Sequence, residues 1–141
     1  MTLVACKIEH DQRLTDSQAL CKALFVHAEL FEQGWSNNPQ FMGQGEVLRC
    51  MLDDKLIGFL TWAPDSDEAV WWVELAWTAS EYRGQGVHKM LWKELVALAE
   101  ERDIRRIDGA AHVQNVAMNH VMHREGRQPT LQFYSYEVKR G

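Results

Sequence analysis

The chain has few cysteines, no excess of basic charge and no long apolar run, and each absence removes a class of protein. Cys6, Cys21 and Cys50 are odd in number and widely spaced. They make neither an even disulfide framework nor a Cys-x-x-Cys metal site, so small buried hydrophobes are expected there. Lys and Arg number 15 against 20 Asp and Glu, a formal charge of −5. That balance lacks the basic face of a broad nucleic-acid surface and suits a cationic partner such as an amine. No apolar run approaches the roughly 20 residues that cross a bilayer. Met1 to Cys6 has no basic region leading into a hydrophobic signal core, so the expectation is a cytoplasmic protein without membrane contact. At 141 residues, 46% of them hydrophobic, the chain fits one compact domain, since a domain of about 150 residues buries roughly 68–70% of its unfolded surface.

What is present is an alternation of strand and helix patterns without repeats. Leu3 to Glu9 reads as a first strand. Thr15-x-x-Gln18 has the spacing of a capping box, and Leu20, Leu24, Ala28 and Phe31 form a helical stripe that stops at Gly34. Trp35 to Gly45 is a loop rich in Gly, Asn, Pro and Gln. Glu46 to Leu52 and Leu56 to Trp62 flank the polar turn Asp53-Asp54-Lys55 as a hairpin, and Ala69 to Thr78 returns after the turn at 64–68. Val87 to Glu101 is an amphipathic helix with Val87, Met90 or Leu91, Leu95, Leu98 and Ala99 on one face. Arg106 to Val113 reads as the next strand, Asn115 to Gly126 as a short helix, and Leu131 to Val138 as a last strand.

The most specific signal lies between the strand Trp71 to Thr78 and the helix at Val87, where the chain reads Arg83-Gly84-Gln85-Gly86-Val87-His88-Lys89. A helix N-terminus gathers unpaired N–H groups and partial positive charge, so a glycine turn feeding it seats phosphate. Two common phosphate loops are excluded. A P-loop needs Lys and Ser or Thr after its last glycine, and a dinucleotide fingerprint needs a third glycine where Lys89 stands.

The pattern that remains, Arg/Gln-x-x-Gly-x-Gly/Ala between a strand and a helix, resembles the GNAT superfamily of acyl-CoA-dependent N-acyltransferases. The resemblance is close over the C-terminal half and rests on element order in the first half. It implies an α/β (α+β) fold: one domain with a mixed, mostly antiparallel sheet flanked by helices. It further implies that Ala76, Trp77 and Thr78 offer main-chain groups to the pantetheine arm of acetyl-CoA, while Arg83, Gly84, Gln85, Gly86, Val87, His88 and Lys89 hold its pyrophosphate. Asn115 stands where the family carries an asparagine beside the cofactor. The loop 35–45 would border the acceptor. The chain departs from the family at His88, where Gly or Ala is usual, at Met122, where many members place a tyrosine that reprotonates the thiolate, and at Arg127, where Phe is usual.

Acyl transfer to an amine needs a base for the acceptor ammonium, a donor for the thioester oxygen and a proton for the leaving thiolate. Glu74 is the candidate base, on the reading that it shares strand parity with Ala76 and Thr78; the position also suits a buried glutamate satisfied by a hydrogen bond. His123 is the first candidate acid, with His112 and His120 as rival proton carriers. His120 and His123, three apart, lack a third metal ligand, so no metal is expected. Adjacent Trp71 and Trp72 point to opposite sheet faces, and an aromatic wall beside Glu74 would suit a cation. The expected activity is acetyl transfer from acetyl-CoA to a primary amine of a small molecule or a protein. The alternative is a binding or structural protein that keeps the scaffold without the reaction. A nucleic-acid substrate is disfavoured, although Arg102, Arg105, Arg106, Lys139 and Arg140 could form a local basic edge. The loop 35–45 and the last strand admit a homodimer seam or a substrate lid.

Overall fold

The computed structural model describes residues 6–36, 45–111, 114–130, 134–136 and 138. The chain forms two compact units, Met1–Ala110 and Ala111–Gly141.

The larger unit is a five-stranded sheet in the order β1-β2-β3-β4-β5, comprising β1 (Cys6–Asp11), β2 (Glu46–Leu52), β3 (Lys55–Pro64), β4 (Val70–Thr78) and β5 (Arg106–Gly109). The first three pairings are antiparallel and β4 with β5 is parallel. This is the mixed, mostly antiparallel sheet that the sequence predicts. A parallel pair needs a long crossover, and helix α2 (Val87–Glu101) supplies it, with the bounds read from its periodicity. The hairpin turn falls at Asp53, whose φ of 52° is a left-handed conformation that aspartate tolerates.

Two helices bury the sheet's two faces. On one, Val87, Leu91, Leu95 and Ala99 of α2 pack with Leu48, Cys50, Ile57, Leu60, Trp62 and Trp71. On the other, helix α1 (Leu20–Glu32) packs with Val47, Phe59 and Leu75. β3, covered on both sides, is continuously buried from Ile57 to Trp62. Leu91 has no exposed surface. Leu91→Ala is therefore expected to lower stability by about 2–5 kcal/mol, measured by thermal or urea unfolding.

The contact face of α1 differs from the expected stripe. Leu24, Phe25 and Phe31 are 47%, 57% and 42% exposed, whereas Ala19, Ala23 and Val26 are buried and Leu30 is half-buried. Ala19, Ala23, Val26 and Leu30 also recur at helical spacing. Small alanines let the helix approach Phe59 and Val47, and close approach, not side-chain size, chose the face. The capping box is likewise not formed. The N-cap is Ala19, and Thr15 lies in a 3₁₀ turn, Leu14–Asp16. Ser17 instead donates to Asp11 at 2.6 Å and accepts from Ala19 N–H.

All three cysteines are free thiols, but they differ in setting: Cys50 is buried, Cys6 is half-buried and Cys21 is exposed on α1. The expectation of buried hydrophobes thus fails for Cys21. Burial, and the Cys6 thiol hydrogen-bonded beside it, push the Cys50 thiol up to about 12, so it stays protonated and inert.

In the smaller unit, helix α3 (Val116–Arg124) starts at Asn115 and is followed by Gly126 with φ 81°. Half of the expected last strand, 131–138, lies outside the described residues; Tyr134, Ser135, Tyr136 and Val138 carry no regular secondary structure. The loop 37–44, the start of the first strand at 3–5, and residues 112–113, with the rival His112, also lie outside them. Among the described residues no helix is long and apolar enough to cross a membrane.

Candidate active site

β4 is paired unequally along its two edges. Towards β3 the ladder runs to Thr78, but towards β5 it stops at Val73, paired with Gly109. Leu75 N–H donates to Thr61 Oγ1 and Ala79 N–H to Ile57 O, both on the β3 side. Main-chain groups alternate along a strand, so those of Ala76 and Thr78 face the other edge, beyond the end of the β5 ladder. The Thr78 carbonyl accepts from Arg83 Nε at 3.1 Å. The N–H of Ala76 has no acceptor among the described residues.

The turn after β4 holds its shape through its own side chains. Besides the Arg83 contact, Gln85 Nε2 donates to Glu81 O at 3.0 Å. Gly84 and Gly86 adopt φ of 74° and 90°, and Gly86 is the N-cap of α2. Left-handed backbone there is cheap only for glycine. Among the described residues, the main-chain N–H groups of Gly84, Gln85, Gly86, Val87 and Lys89 meet no acceptor. No cap side chain occupies the helix start, and no acidic residue lies in its first turn. Space at Gly84 and Gly86 is open, with nothing within 4 Å of where a Cβ would lie. Unpaired amides, an uncompensated helix dipole and the exposed Lys89 fit an anionic diphosphate. Val87 is buried in the core beneath this turn and anchors it; Trp77 packs on Phe59 at 5.6 Å, and His88 is half-buried.

Glu74 is the extra residue of a β-bulge: Thr61 pairs with Leu75 and Trp62 with Val73, so Glu74 has no partner in the register. The bulge overturns the parity expected for Glu74. Trp71 and Val73 pack towards α2, while Leu75 and Trp77, of the same parity, pack towards α1. Glu74 Oε1 is buried with no hydrogen-bond partner among the described residues. It lies against Gly45, where a Cβ would come within 2.9 Å of Oε1 and would collide with the Trp62 carbonyl. Desolvation raises its pKa above the ordinary glutamate range, with no neighbouring cation to offset it. A glutamate satisfied by a hydrogen bond would show a partner at this oxygen, and none is present among the described residues.

Asn115 and His123 belong to the smaller unit. Asn115 Oδ1 accepts from Met118 N–H at 3.1 Å, a helix cap. His123 is exposed in the last turn of α3, where a cation complements the helix dipole. Trp72 is 39% exposed and Trp71 buried, on opposite faces as expected.

Two groupings escape a reading of the sequence because their members lie far apart in the chain. Glu46 accepts from His10 and from Arg102, each at 2.8 Å, while His10 stacks on Trp62 and Arg102 on Trp71. Gln12, Gly45, Glu46, Pro64 and Arg102 line a cavity of about 430 Å³, which shares Gly45 with Glu74. The basic edge is neutralised where it is described: Arg102 pairs with Glu46, Arg105 with Asp67 and Arg106 with Asp108. Lys139 and Arg140 lie outside the described residues. Among the described residues no group of three or more His, Cys, Asp or Glu could hold a metal.

Residues 12–126 match the profile of the acetyltransferase (GNAT) family. No curated protein matches the chain in sequence. Among solved structures, an aminoglycoside acetyltransferase from an uncultured soil metagenomic sample, meta-AAC0020, in complex with sisomicin, is similar at 16% identity and TM-score 0.68, covering 96% of this chain and 97% of that one. An integron cassette protein from the mobile metagenome of V. cholerae is similar at 16% identity and TM-score 0.71, with 96% and 94% covered. The aminoglycoside N-acetyltransferase AAC(6')-Iy, in complex with a bisubstrate analogue of CoA and acetylneamine, is similar at 16% identity and TM-score 0.67, with 95% and 98% covered.

Proposed function

The chain belongs to the acetyltransferase (GNAT) family, and on that premise we propose that it moves an acetyl group from acetyl-CoA to a primary amine of a cationic small molecule. The observation that carries this reading is the set of main-chain amides of Gly84, Gln85, Gly86, Val87 and Lys89, without acceptors among the described residues, at the bare N-terminus of α2. An acyl thioester supplies an activated carbonyl and a stable thiolate leaving group; the residues supply position, charge and a base.

The turn amides and Lys89 hold the diphosphate. The open edge of β4 takes the pantetheine arm, chiefly through Ala76, because Arg83 already occupies the Thr78 carbonyl. Ala76 N–H, pointing off the ladder, donates to the thioester oxygen as negative charge develops there. Glu74 removes a proton from the acceptor ammonium, directly or through a water, and the freed nitrogen attacks the carbonyl. Its raised pKa makes it a stronger base than an exposed glutamate. The thiolate takes its proton from water.

A cationic acceptor agrees with the charge of −5 and with Trp72, exposed two residues from Glu74. Two of the similar structures are aminoglycoside acetyltransferases, one of them bound to sisomicin, which makes polycationic amino sugars the first acceptors to test. The family match crosses the boundary between the two units, which supports reading both as one catalytic domain, and we place that domain in the cytoplasm.

Initial rates of thiol release from acetyl-CoA, across aminoglycosides, simple diamines and lysine peptides, test the proposal. Release with amino sugars or diamines is expected. Release with lysine peptides alone would make the chain a protein acetyltransferase. Failure to bind acetyl-CoA in calorimetry would leave a scaffold without the reaction.

A further inference from the structure

Thr61 is a polar residue at the centre of the sheet with no exposed surface, on the strand that faces the bulge. At a bulge the ladder loses step, and a main-chain donor on the longer strand needs another acceptor. Leu75 N–H, the donor immediately after Glu74, donates to the Thr61 hydroxyl at 3.1 Å. On the other edge of β3, where β2 begins, Gly45 leaves room for the Glu74 carboxyl beside Trp62. We propose that Thr61 is the positioning residue of the active site: its side-chain oxygen fixes the bulge that aims the Glu74 carboxylate at its place beside Gly45.

The alternatives open to the strand show why a hydroxyl is needed. Without it, Leu75 N–H loses its side-chain acceptor at a buried site, and losing a buried hydrogen bond costs stability. Sliding β4 by one residue would restore the ladder but exchange the faces of Leu75 and Trp77, removing both from the core under α1. The remaining relief is a rotation of the peptide between Glu74 and Leu75, which swings the carboxyl away from Gly45 towards solvent. Valine has nearly the shape of threonine but no acceptor, and serine keeps the oxygen. The inference uses Glu74 in the role given above, yet the aim of its carboxyl is measurable without catalysis.

The experiment follows the Glu74 carboxyl carbon by NMR through a pH titration in the wild type, Thr61→Val and Thr61→Ser, alongside kcat and the KM for acetyl-CoA. In Thr61→Val the titration of Glu74 is expected to fall back towards that of an exposed glutamate. A displacement of about 1 Å costs roughly 10²-fold in rate, so kcat should drop by that order with KM for acetyl-CoA unchanged, and Thr61→Ser should restore both properties. A folded Thr61→Val that keeps the wild-type titration and kcat overturns the proposal. If Thr61→Val does not fold, Thr61→Ser decides: a wild-type Glu74 titration supports the proposal, and an ordinary one overturns it. Absence of any turnover in the wild type would instead count against the acetyltransferase reading, while the titrations would still decide the role of Thr61.

Discussion

Replacing Glu74 with glutamine is expected to lower the turnover of amine acetylation by roughly 10²–10⁴-fold, the usual contribution of a positioned base, while leaving the dissociation constant of acetyl-CoA within about twofold, well under the 1.4 kcal/mol of a tenfold change. The amide keeps the shape of the carboxyl and its place against Gly45, so the cofactor seat is undisturbed; what is lost is the proton acceptor. In the wild type the rate should decline on the acid side as Glu74 becomes protonated, and because burial raises its pKa, that decline should lie above the ordinary glutamate range. In the variant this acid limb should be absent.

The same carboxyl affects stability in a direction that follows from its pKa. The folded pKa is above the unfolded one, so the folded state holds the proton more tightly and ionisation costs stability. The cost is absent below the unfolded pKa, grows as pH rises through the folded pKa, and is constant above it. Glu74→Gln should therefore melt at or above the wild-type temperature at pH 8, with the difference closing as pH falls towards 4, the region of an ordinary carboxylate pKa. If Glu74 is the base proposed here, its burial trades stability for reactivity.

The second large effect concerns the turn. Gly86→Val puts a β-branched residue at φ 90°, where such side chains are strained outliers. Nothing lies within 4 Å of the position a Cβ would take, so the variant meets no clash and folds, but its backbone relaxes away from the left-handed region. That relaxation turns the neighbouring amides out of convergence. Calorimetry should show acetyl-CoA binding weakened by roughly tenfold or more, each tenfold being 1.4 kcal/mol. The melting temperature should fall only by the few degrees that about 1–2 kcal/mol of local strain implies. Unchanged affinity would remove the turn from the cofactor seat.

Signals carried by neighbouring residues were legible in the sequence, and signals that depend on a distant partner were not. The bounds of α2 and the hairpin at Asp53 follow from local periodicity and turn chemistry, and the structure has them where the residues place them. The glycine turn is equally local. The face of α1 was misread because the stripe of large residues was more visible than Ala19 and Ala23, and only the opposing Phe59 and Val47 decide which stripe is buried. The bulge was missed for a similar reason. Parity along β4 reads as unbroken from Trp71 to Thr78, but the register shifts opposite Thr61 and Trp62 of the neighbouring strand, where the Thr61 hydroxyl accepts Leu75 N–H. The pairing of Glu46 with His10 and Arg102 depends on strand order and on where α2 ends. A glycine directly before β2 and a threonine inside an apolar strand were the available hints, and neither has meaning until the strands are aligned.

The central claim is that the main-chain amides at the start of α2 are the seat of the cofactor's diphosphate. A titration of the isotopically labelled protein with CoA, followed through backbone amide resonances, tests it most directly. Saturable shifts at Gly84, Gln85, Gly86, Val87 and Lys89 are the result that the account predicts. CoA binding that leaves those resonances in place, or no binding at millimolar CoA, a range weaker than about −4.1 kcal/mol, would contradict it.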